Sequence, residues 1–310
     1  MENQTFYFYI VTFSKYVEQQ FLFFVMFFLL YIINIIWNLT IFMVILLDEH
    51  LQAPMYFFLR NLSFVDIVYT TVTIPKLLDV ILTGDNRISY IACLYQSCFF
   101  TSLLGIEVFL LTTMSYDRYV AICHPLHYLF HMERQKCFQF VASSWIIGCL
   151  NAILIELFVS TLEFCQSRNI NNMFCDIKIL TMLSCKKKQE FEILIFVETF
   201  LFGLCPFSLI LISYAKIVVS ILKIHTTGQR NKTFSTCASH LIVLLIFYGT
   251  LFCVYMRPAS ENSEKVDLIF SVFYLAVTPT LNPLIYSLKN KEIKNAIMKK
   301  FMSNLRTNKV

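Results

Sequence analysis

Residues 114–123 read MSYDRYVAIC and end a long apolar run that begins at Ile91. An Asp and an Arg at the edge of a hydrocarbon core are costly, so Asp117 and Arg118 need a partner or a function there. The guanidinium of Arg118 is always charged, and its planar donor fork suits a carboxylate. The pair therefore predicts either a switch at a membrane–cytosol boundary or an ordinary ion pair at a helix end.

The composition of the chain is that of a membrane protein. Its 310 residues are 57% hydrophobic and only 15% charged, with a mean hydropathy of +0.65. Each of seven apolar segments is long enough to cross a bilayer, which takes about 20 helical residues. Because backbone groups in lipid must be hydrogen-bonded within their own segment, we predict an all-α bundle of seven transmembrane helices. The segments are residues 21–47, 55–81, 91–123, 137–162, 191–222, 234–256 and 266–288.

Charge predicts the orientation of this bundle. An odd number of spans places the two termini on opposite sides, and most of the 25 Lys and Arg residues fall on the C-terminal side. The positive-inside rule makes that side cytoplasmic. We therefore divide the chain into an extracellular N-terminus (1–20), a transmembrane domain (21–288) and a cytoplasmic tail (289–310).

The two ends of the chain carry further signals. Asn3 begins a glycosylation sequon on the predicted outer side. In the tail, Ile293, Ile297, Phe301 and Leu305 recur every fourth residue among lysines. This pattern predicts a short amphipathic helix, residues 289–305, that lies on the membrane surface.

Four of the 11 cysteines lie on the predicted outer face, namely Cys93, Cys165, Cys175 and Cys185. The outer side of a cell membrane is oxidising, so disulfides are expected there. Four cysteines allow three connectivities, and their spacing does not choose among them.

Five motifs follow one another in a fixed order along the chain. They are LQAPMYFFLRNLSFVDI at 51–67, MSYDRYVAICHP at 114–125, SY at 213–214, KTFSTCASH at 232–240 and PTLNPLIY at 279–286. This ordered set resembles the motifs of olfactory receptors, a branch of the rhodopsin-like G-protein-coupled receptors. The loop NMFCDIKILTMLSC at 172–185 is similar to the class found mainly in land vertebrates. One departure is Trp37 before Asn38, where the family usually has Gly.

The resemblance implies a receptor in the plasma membrane that binds a small odorant. It also implies coupling to a heterotrimeric G protein of the stimulatory olfactory type, which raises cyclic AMP. In such receptors the disulfide pattern implies Cys93–Cys175 and Cys165–Cys185. Two other functions stay open: a seven-span channel or transporter, and a receptor-like product that does not signal because Trp37 disturbs helix packing.

Two helix faces, one in the third span and one in the sixth, match the place where rhodopsin-like receptors bind small ligands. Such apolar stripes are also explained by core packing alone. Ligand sites in helical bundles are mostly apolar with a few polar groups. The predicted pocket residues are Thr101, Leu104, Gly105, Val108, Glu198, Phe202, Tyr248, Leu251, Phe252 and Tyr255.

Glu198 is the charged member of this set. A carboxylate about two turns into the fifth span needs a partner, a water-filled cavity or a proton. It either points into the pocket as the main polar group or simply reaches the lipid headgroups. Inside the pocket an ionised Glu198 favours an amine ligand, and a protonated one donates a hydrogen bond to a carbonyl or alcohol.

A polar cluster is predicted near mid-membrane from Asn38, Asp66, Glu107 and Asn282. Buried acids at that depth usually face the bundle interior. The cluster either fixes helix packing by hydrogen bonds or holds water or a sodium ion that differs between two receptor states. No other cofactor is expected.

At the cytoplasmic end, residues from four helices are predicted to form a switch whose polar contacts change when helices shift. The set contains the Asp-Arg pair that opens this section. The predicted switch residues are Asp117, Arg118, Tyr119, Tyr214, His240 and Tyr286.

Other chemistries are not indicated. His124, His127 and His131 have a spacing that suits a metal, but they are interpreted as a solvated loop. No metalloprotease, phosphate-binding or nucleophile-elbow motif occurs, so neither an enzyme nor a metal site is expected. The expected partners are an odorant, a G protein and the bilayer, with no nucleic acid.

Overall fold

The computed structural model describes residues 6–11, 19–164, 168–185, 189–223, 226–255, 269–289 and 291–307. Long helices dominate these residues. The first four are α1 (Gln20–Leu47), α2 (Pro54–Thr83), α3 (Tyr90–Cys123) and α4 (Arg134–Val159). A 3-10 turn (Pro125–His127) and one helical turn (Tyr128–His131) connect α3 to α4, and Ile177–Met182 forms a short helix in the next loop.

The later helices contain local irregularities. α5 is helical over Gln189–Glu198, π-helical over Thr199–Leu204 and helical again over Cys205–Leu222. α6 spans Thr227–Tyr255. α7 begins at residue 269, is π-helical over Phe273–Val277 and continues as Thr278–Lys289, and α8 covers Lys291–Thr307.

Proline explains both π-helical segments. Pro206 and Pro279 have no N–H, so neither can donate to the carbonyl four residues earlier. The first π-helical segment ends at Leu204, two residues before Pro206, and the second ends at Val277, two residues before Pro279. Single-turn π-bulges are frequent at functional sites, and the first of these two lies beside the cavity described below.

α3 is the central helix of the bundle. Its most apolar stretch is 72% buried, against 17% for α1 and 28% for α4. α4 packs closely on α3 at Gly148. A Cβ added at Gly148 would lie only 2.7 Å from Ile106 Cγ1 and 2.9 Å from the Ser102 carbonyl oxygen. Glycine at position 148 therefore sets the distance between α3 and α4.

Length and composition identify four helices that are able to cross a membrane: Gln20–Leu47, Tyr90–Cys123, Arg134–Val159 and Phe196–Leu222. His240–Tyr255 and Ile269–Ile285 are shorter apolar helices. α2 carries Arg60, Asp66, Lys76 and Asp79, which lower its apolar character. The described part of the chain is thus all-α in character with several apolar helices, and the crossing of all seven is taken up under Proposed function.

A small sheet was not predicted. β1 (Tyr7–Ile10) pairs antiparallel with β2 (Arg87–Ser89) and parallel with β3 (Asn169–Ile170). Phe8 and Ile10 are 0% and 2% exposed, within a second apolar core that includes Cys93 and Cys175. The N-terminal segment thus packs across the end of the bundle where the loop between α4 and α5 lies.

The helix after the seventh predicted span is present as α8, which starts at Lys291. Ile293 is fully buried, and the Tyr56 hydroxyl donates a hydrogen bond to Glu292. These contacts fix the start of α8 to α2. Phe301 and Leu305 lie in α8, but their side chains are outside the described part of the structure.

Candidate functional site

A cavity of about 120 Å³ lies between α3, α5 and α6, at the end of the bundle near the loop between α4 and α5. Nine of the ten predicted pocket residues line it. The exception is Tyr248, whose ring packs 5.0 Å from that of Phe207 and 5.9 Å from that of Phe252. Four lining residues were not predicted, namely Phe100, Ile177, Thr199 and Gly203.

Glu198 lines this cavity at the point where regular α5 gives way to the π-helical segment. Its Oε1 accepts a hydrogen bond of 2.9 Å from Asn151 Nδ2 of α4. Its Oε2 is buried and has no hydrogen-bond partner in the described part of the chain. Of the two positions expected from the sequence, the structure therefore has the one inside the pocket. Asn151 was missed, although an Asn within an apolar span is a signal that a polar partner faces it.

The loop between α4 and α5 reaches the cavity through Ile177, and two contacts join this loop to α3. The Cys93–Cys175 disulfide implied by the resemblance is present. Gln96 of α3 accepts a hydrogen bond from the Cys175 backbone N–H at 2.9 Å. Cys185 is also disulfide-bonded, while its predicted partner Cys165 lies outside the described residues.

Asp176, next in the loop, ties this loop to α6 and α7. Its Oδ2 accepts hydrogen bonds from the hydroxyls of Tyr255 (2.7 Å) and Tyr274 (3.3 Å). Lys178 donates through Nζ to the Val254 carbonyl at 2.6 Å. Burial raises the pKa of Asp176, and the hydrogen bonds from Tyr255, Lys178 and Tyr274 oppose that rise. If the end of α6 near Tyr255 moves, these contacts must either break or move with it.

The predicted polar cluster is partly assembled. Asn282 Nδ2 of α7 lies 3.3 Å from Asp66 Oδ2 and 3.2 Å from Glu107 Oε1, so one amide bridges the acids of α2 and α3. Asn38 does not join them. Its Nδ2 donates to the backbone carbonyls of Asn34 and Pro279, both at 3.2 Å, which links α1 to α7.

The Asp-Arg pair at the other end of α3 is loosely joined. Arg118 Nε is 3.6 Å from Asp117 Oδ2, and the two side chains are 20% and 1% exposed. Asp117 Oδ1 instead accepts a hydrogen bond of 2.8 Å from the Tyr128 hydroxyl, a partner that was not predicted. The guanidinium of Arg118 therefore lies near Asp117, but its Nε–H donates no hydrogen bond within the described residues.

The other predicted switch residues form two separate pairs. Tyr214 of α5 and His240 of α6 share a hydrogen bond of 2.7 Å between the hydroxyl and Nδ1. The Tyr119 hydroxyl lies 3.0 Å from His124 Nε2. Tyr286 lies in α7, but its side chain is outside the described residues.

Two further predictions concern glycosylation and metal binding. Asn3, the predicted glycosylation site, lies outside the described residues. Within the described chain, no three His, Cys, Asp or Glu residues are grouped as a metal site.

The cavity lies near one end of α3, and the Asp117–Arg118 pair lies at the other end. A family model described as "Olfactory receptor" matches residues 27–304. Olfactory receptor 1G1 of Gorilla gorilla gorilla is 44% identical over 292 residues, which cover 94% of this chain and 93% of the relative. Olfactory receptor 7C1 of Homo sapiens is 44% identical over 290 residues, covering 94% and 91%. Olfactory receptor 1E16 of Mus musculus is 43% identical over 284 residues, covering 92% and 90%.

The chain belongs to the olfactory receptor family, whose members are G-protein-coupled receptors and not enzymes. Membership confirms the family that the five sequence motifs predicted. It also makes this chain a multi-pass membrane protein that senses odorants, in keeping with its apolar helices.

Proposed function

We propose that this receptor binds a small odorant in the cavity between α3, α5 and α6 and activates a stimulatory heterotrimeric G protein, raising cyclic AMP. One observation carries the proposal: nine residues predicted to bind ligand line a single cavity. Its wall is mostly apolar with few polar groups, as expected of a small-molecule site. Stimulatory coupling is carried over from the family resemblance.

In the proposed topology α1–α7 all cross the plasma membrane, with the N-terminus outside. Four helices have the required length and apolarity, and α2 offsets its polar residues by burying 14 of its 30 residues in the bundle. The excess of Lys and Arg toward the C-terminal side supports a cytoplasmic tail. Residues 1–20 are then extracellular, 21–288 form the membrane domain and 289–310 the tail. α8 lies on the cytoplasmic membrane surface, anchored to α2 through Glu292.

The proposed signal travels along α6. Tyr255 at one end lines the cavity and bonds Asp176, while His240, four turns away, bonds Tyr214 of α5. A ligand that moves the outer end of α6 changes the strain on the Tyr214–His240 bond. At the same end, the guanidinium of Arg118, whose Nε is 3.6 Å from Asp117 Oδ2, is proposed to engage the G protein. Small shifts are amplified in this way when packed elements have two discrete arrangements.

A sodium ion between Asp66 and Glu107 is part of the proposal. Both carboxylates are at most 2% exposed and share the amide of Asn282. In the described chain neither acid has a salt bridge to a basic side chain, and two buried like charges need a cation or a proton to offset them. Carboxylate oxygens, which both acids supply, are ligands that a hard cation prefers.

Gly203 offers the sharpest test of the cavity. It is buried and lines the cavity, and a Cβ added there meets no atom within 4 Å. Gly203→Leu should fill the cavity without disturbing the fold and reduce the cyclic AMP response to an active odorant at least about tenfold. The response is measured in reporter cells against surface level.

Gly249→Leu is the matched control. Gly249 also has no atom within 4 Å of an added Cβ, but it is exposed on α6 and does not line the cavity. It should leave the dose–response curve unchanged. A full response from Gly203→Leu at normal surface level would show that the odorant binds elsewhere.

A further inference from the structure

Glu198 has one carboxylate oxygen occupied and one unpartnered. Asn151 donates to Oε1, while Oε2 is buried without a hydrogen-bond partner among the described residues. A buried acceptor that is left unpaired costs free energy, and the cost is larger for a charged group. Because Glu198 lines the cavity, a ligand in the cavity is the group positioned to supply the missing donor.

The surroundings of Glu198 favour positive charge. Four aromatic rings line the same cavity, and no Lys, Arg or His is among its described lining residues. The negative faces of aromatic rings attract ammonium groups. The aromatic lining residues are Phe100, Phe202, Phe252 and Tyr255.

Asp176 of the loop between α4 and α5 lies next to this lining, because its Oδ2 accepts a hydrogen bond from the hydroxyl of the lining residue Tyr255. Lys178 of the same loop donates through Nζ to the Val254 carbonyl and does not line the cavity.

We propose that the receptor's ligands are protonated amines, held by an N–H donor to Glu198 Oε2 and by the aromatic rings around it. This inference rests on the proposed odorant cavity and names its ligand class. A carboxylic acid would be repelled by Glu198, and an aldehyde or ketone has no donor for Oε2. An alcohol can donate a hydrogen bond to Oε2, but it has no positive charge to interact with the carboxylate and the aromatic rings.

Asn151 is the positioning residue. Its amide donates to Oε1 at 2.9 Å and so orients the carboxylate of Glu198. Asn151→Leu removes this bond and should lower the selectivity for amines over alcohols. Surface level should be retained, because Asn151 is only half-buried.

The test uses matched pairs of probes that differ in one group: cyclohexylamine with cyclohexanol, and 2-phenylethylamine with 2-phenylethanol. Binding to the purified full-length receptor is measured as thermal stabilisation, and signalling as cyclic AMP in cells. The wild type should bind each amine more tightly than its alcohol. Glu198→Gln should weaken amine binding about tenfold or more and leave alcohol binding within about twofold.

Glu156→Gln is the matched control, since Glu156 is a second buried acid in the described chain that does not line the cavity. It should leave amine binding unchanged. Equal amine binding by the wild type and Glu198→Gln overturns the inference, as does an absence of amine binding to the wild type.

The two proposals fail in different ways. If alcohols bind and signal but amines do not, the ligand class is wrong and the odorant cavity stands. If amines stabilise the wild type and not Glu198→Gln, yet no cyclic AMP is produced, the ligand class stands and the proposed signalling is wrong.

Discussion

Residues at the two ends of α3 lie in different surroundings. At the cavity end Thr101 and Gly105 form part of the wall, and at the other end Arg118 lies beside a carboxylate that is already bonded to Tyr128. Since the ion pair of 3.6 Å is long and partly exposed, it adds little stability. We therefore expect the charge of Arg118 to matter more for binding a partner than for the stability of the fold.

Arg118→Ala should reach the cell surface and bind odorant normally but raise cyclic AMP by less than about a tenth of the wild-type response. Arg134→Ala removes an exposed cation at the start of α4 and serves as the control. Normal signalling by Arg118→Ala at matched surface levels would rule out the switch.

The proposed sodium ion beside the shared amide of Asn282 predicts that the stability of the receptor depends on which salt is present. If sodium binds between Asp66 and Glu107, NaCl should stabilise the purified receptor more than N-methyl-D-glucamine chloride at equal ionic strength. The gain is about 1.4 kcal/mol at a sodium concentration tenfold above its Kd. Asp66→Asn should remove the difference between the two salts. Equal melting temperatures of the wild type in both salts would instead mean that a proton offsets the paired charges.

At the scale of elements, the distance between α3 and α4 depends on one glycine. Gly148→Ala places a Cβ within 2.7 Å of Ile106 and 2.9 Å of a backbone oxygen, so the helices must separate. Such overpacking costs about 1–3 kcal/mol. Thermal unfolding of purified receptor should show the loss.

Gly249→Ala is the companion variant, because nothing lies within 4 Å of its added Cβ. It should be neutral or raise stability by up to about 1 kcal/mol, since alanine favours the helix. Equal stability of the two variants would show that α4 does not pack on α3 through Gly148.

Apolar runs predicted the long helices well, because backbone hydrogen bonding in lipid leaves few alternatives to a helix. The ends were less accurate: α6 begins at Thr227, whereas the predicted span began at residue 234. A polar start such as TGQRNKT continues the helix but carries no apolar signal. The π-helical segments in α5 and α7 could have been suspected from Pro206 and Pro279, but their length is set by packing.

Helical spacing grouped the predicted cavity residues of α3 and α6 on one face each, and the family resemblance indicated where the pocket lies; Tyr248 of that set does not line the cavity. Ile177 was not predicted, since its place at the cavity depends on how the loop folds. The bond from Asn151 to Glu198 was not predicted either, because it depends on how α4 packs. The β1–β2–β3 sheet joins segments far apart in sequence, so no local pattern of Tyr7–Ile10 reveals its partners. Tyr128 was missed for the same reason, because its bond to Asp117 needs the chain to turn back after α3.

At the scale of the whole molecule, the proposed receptor is a helical bundle whose ligand cavity lies under a disulfide-linked loop and whose switch residues lie at the opposite end. α3 and α6 run between the two and contribute residues to both. This arrangement distinguishes a receptor from a channel, because a channel needs a continuous polar path and the cavity wall is mostly apolar. The output is then carried by a second protein.

The most direct test of this claim is nucleotide exchange on a purified stimulatory heterotrimeric G protein by receptor reconstituted in lipid bilayers. An active odorant should accelerate exchange by the wild type, and Gly203→Leu and Arg118→Ala should each abolish that acceleration while Gly249→Leu preserves it. The same bilayers should carry no odorant-dependent current. An odorant-gated current without any acceleration of exchange would contradict the account.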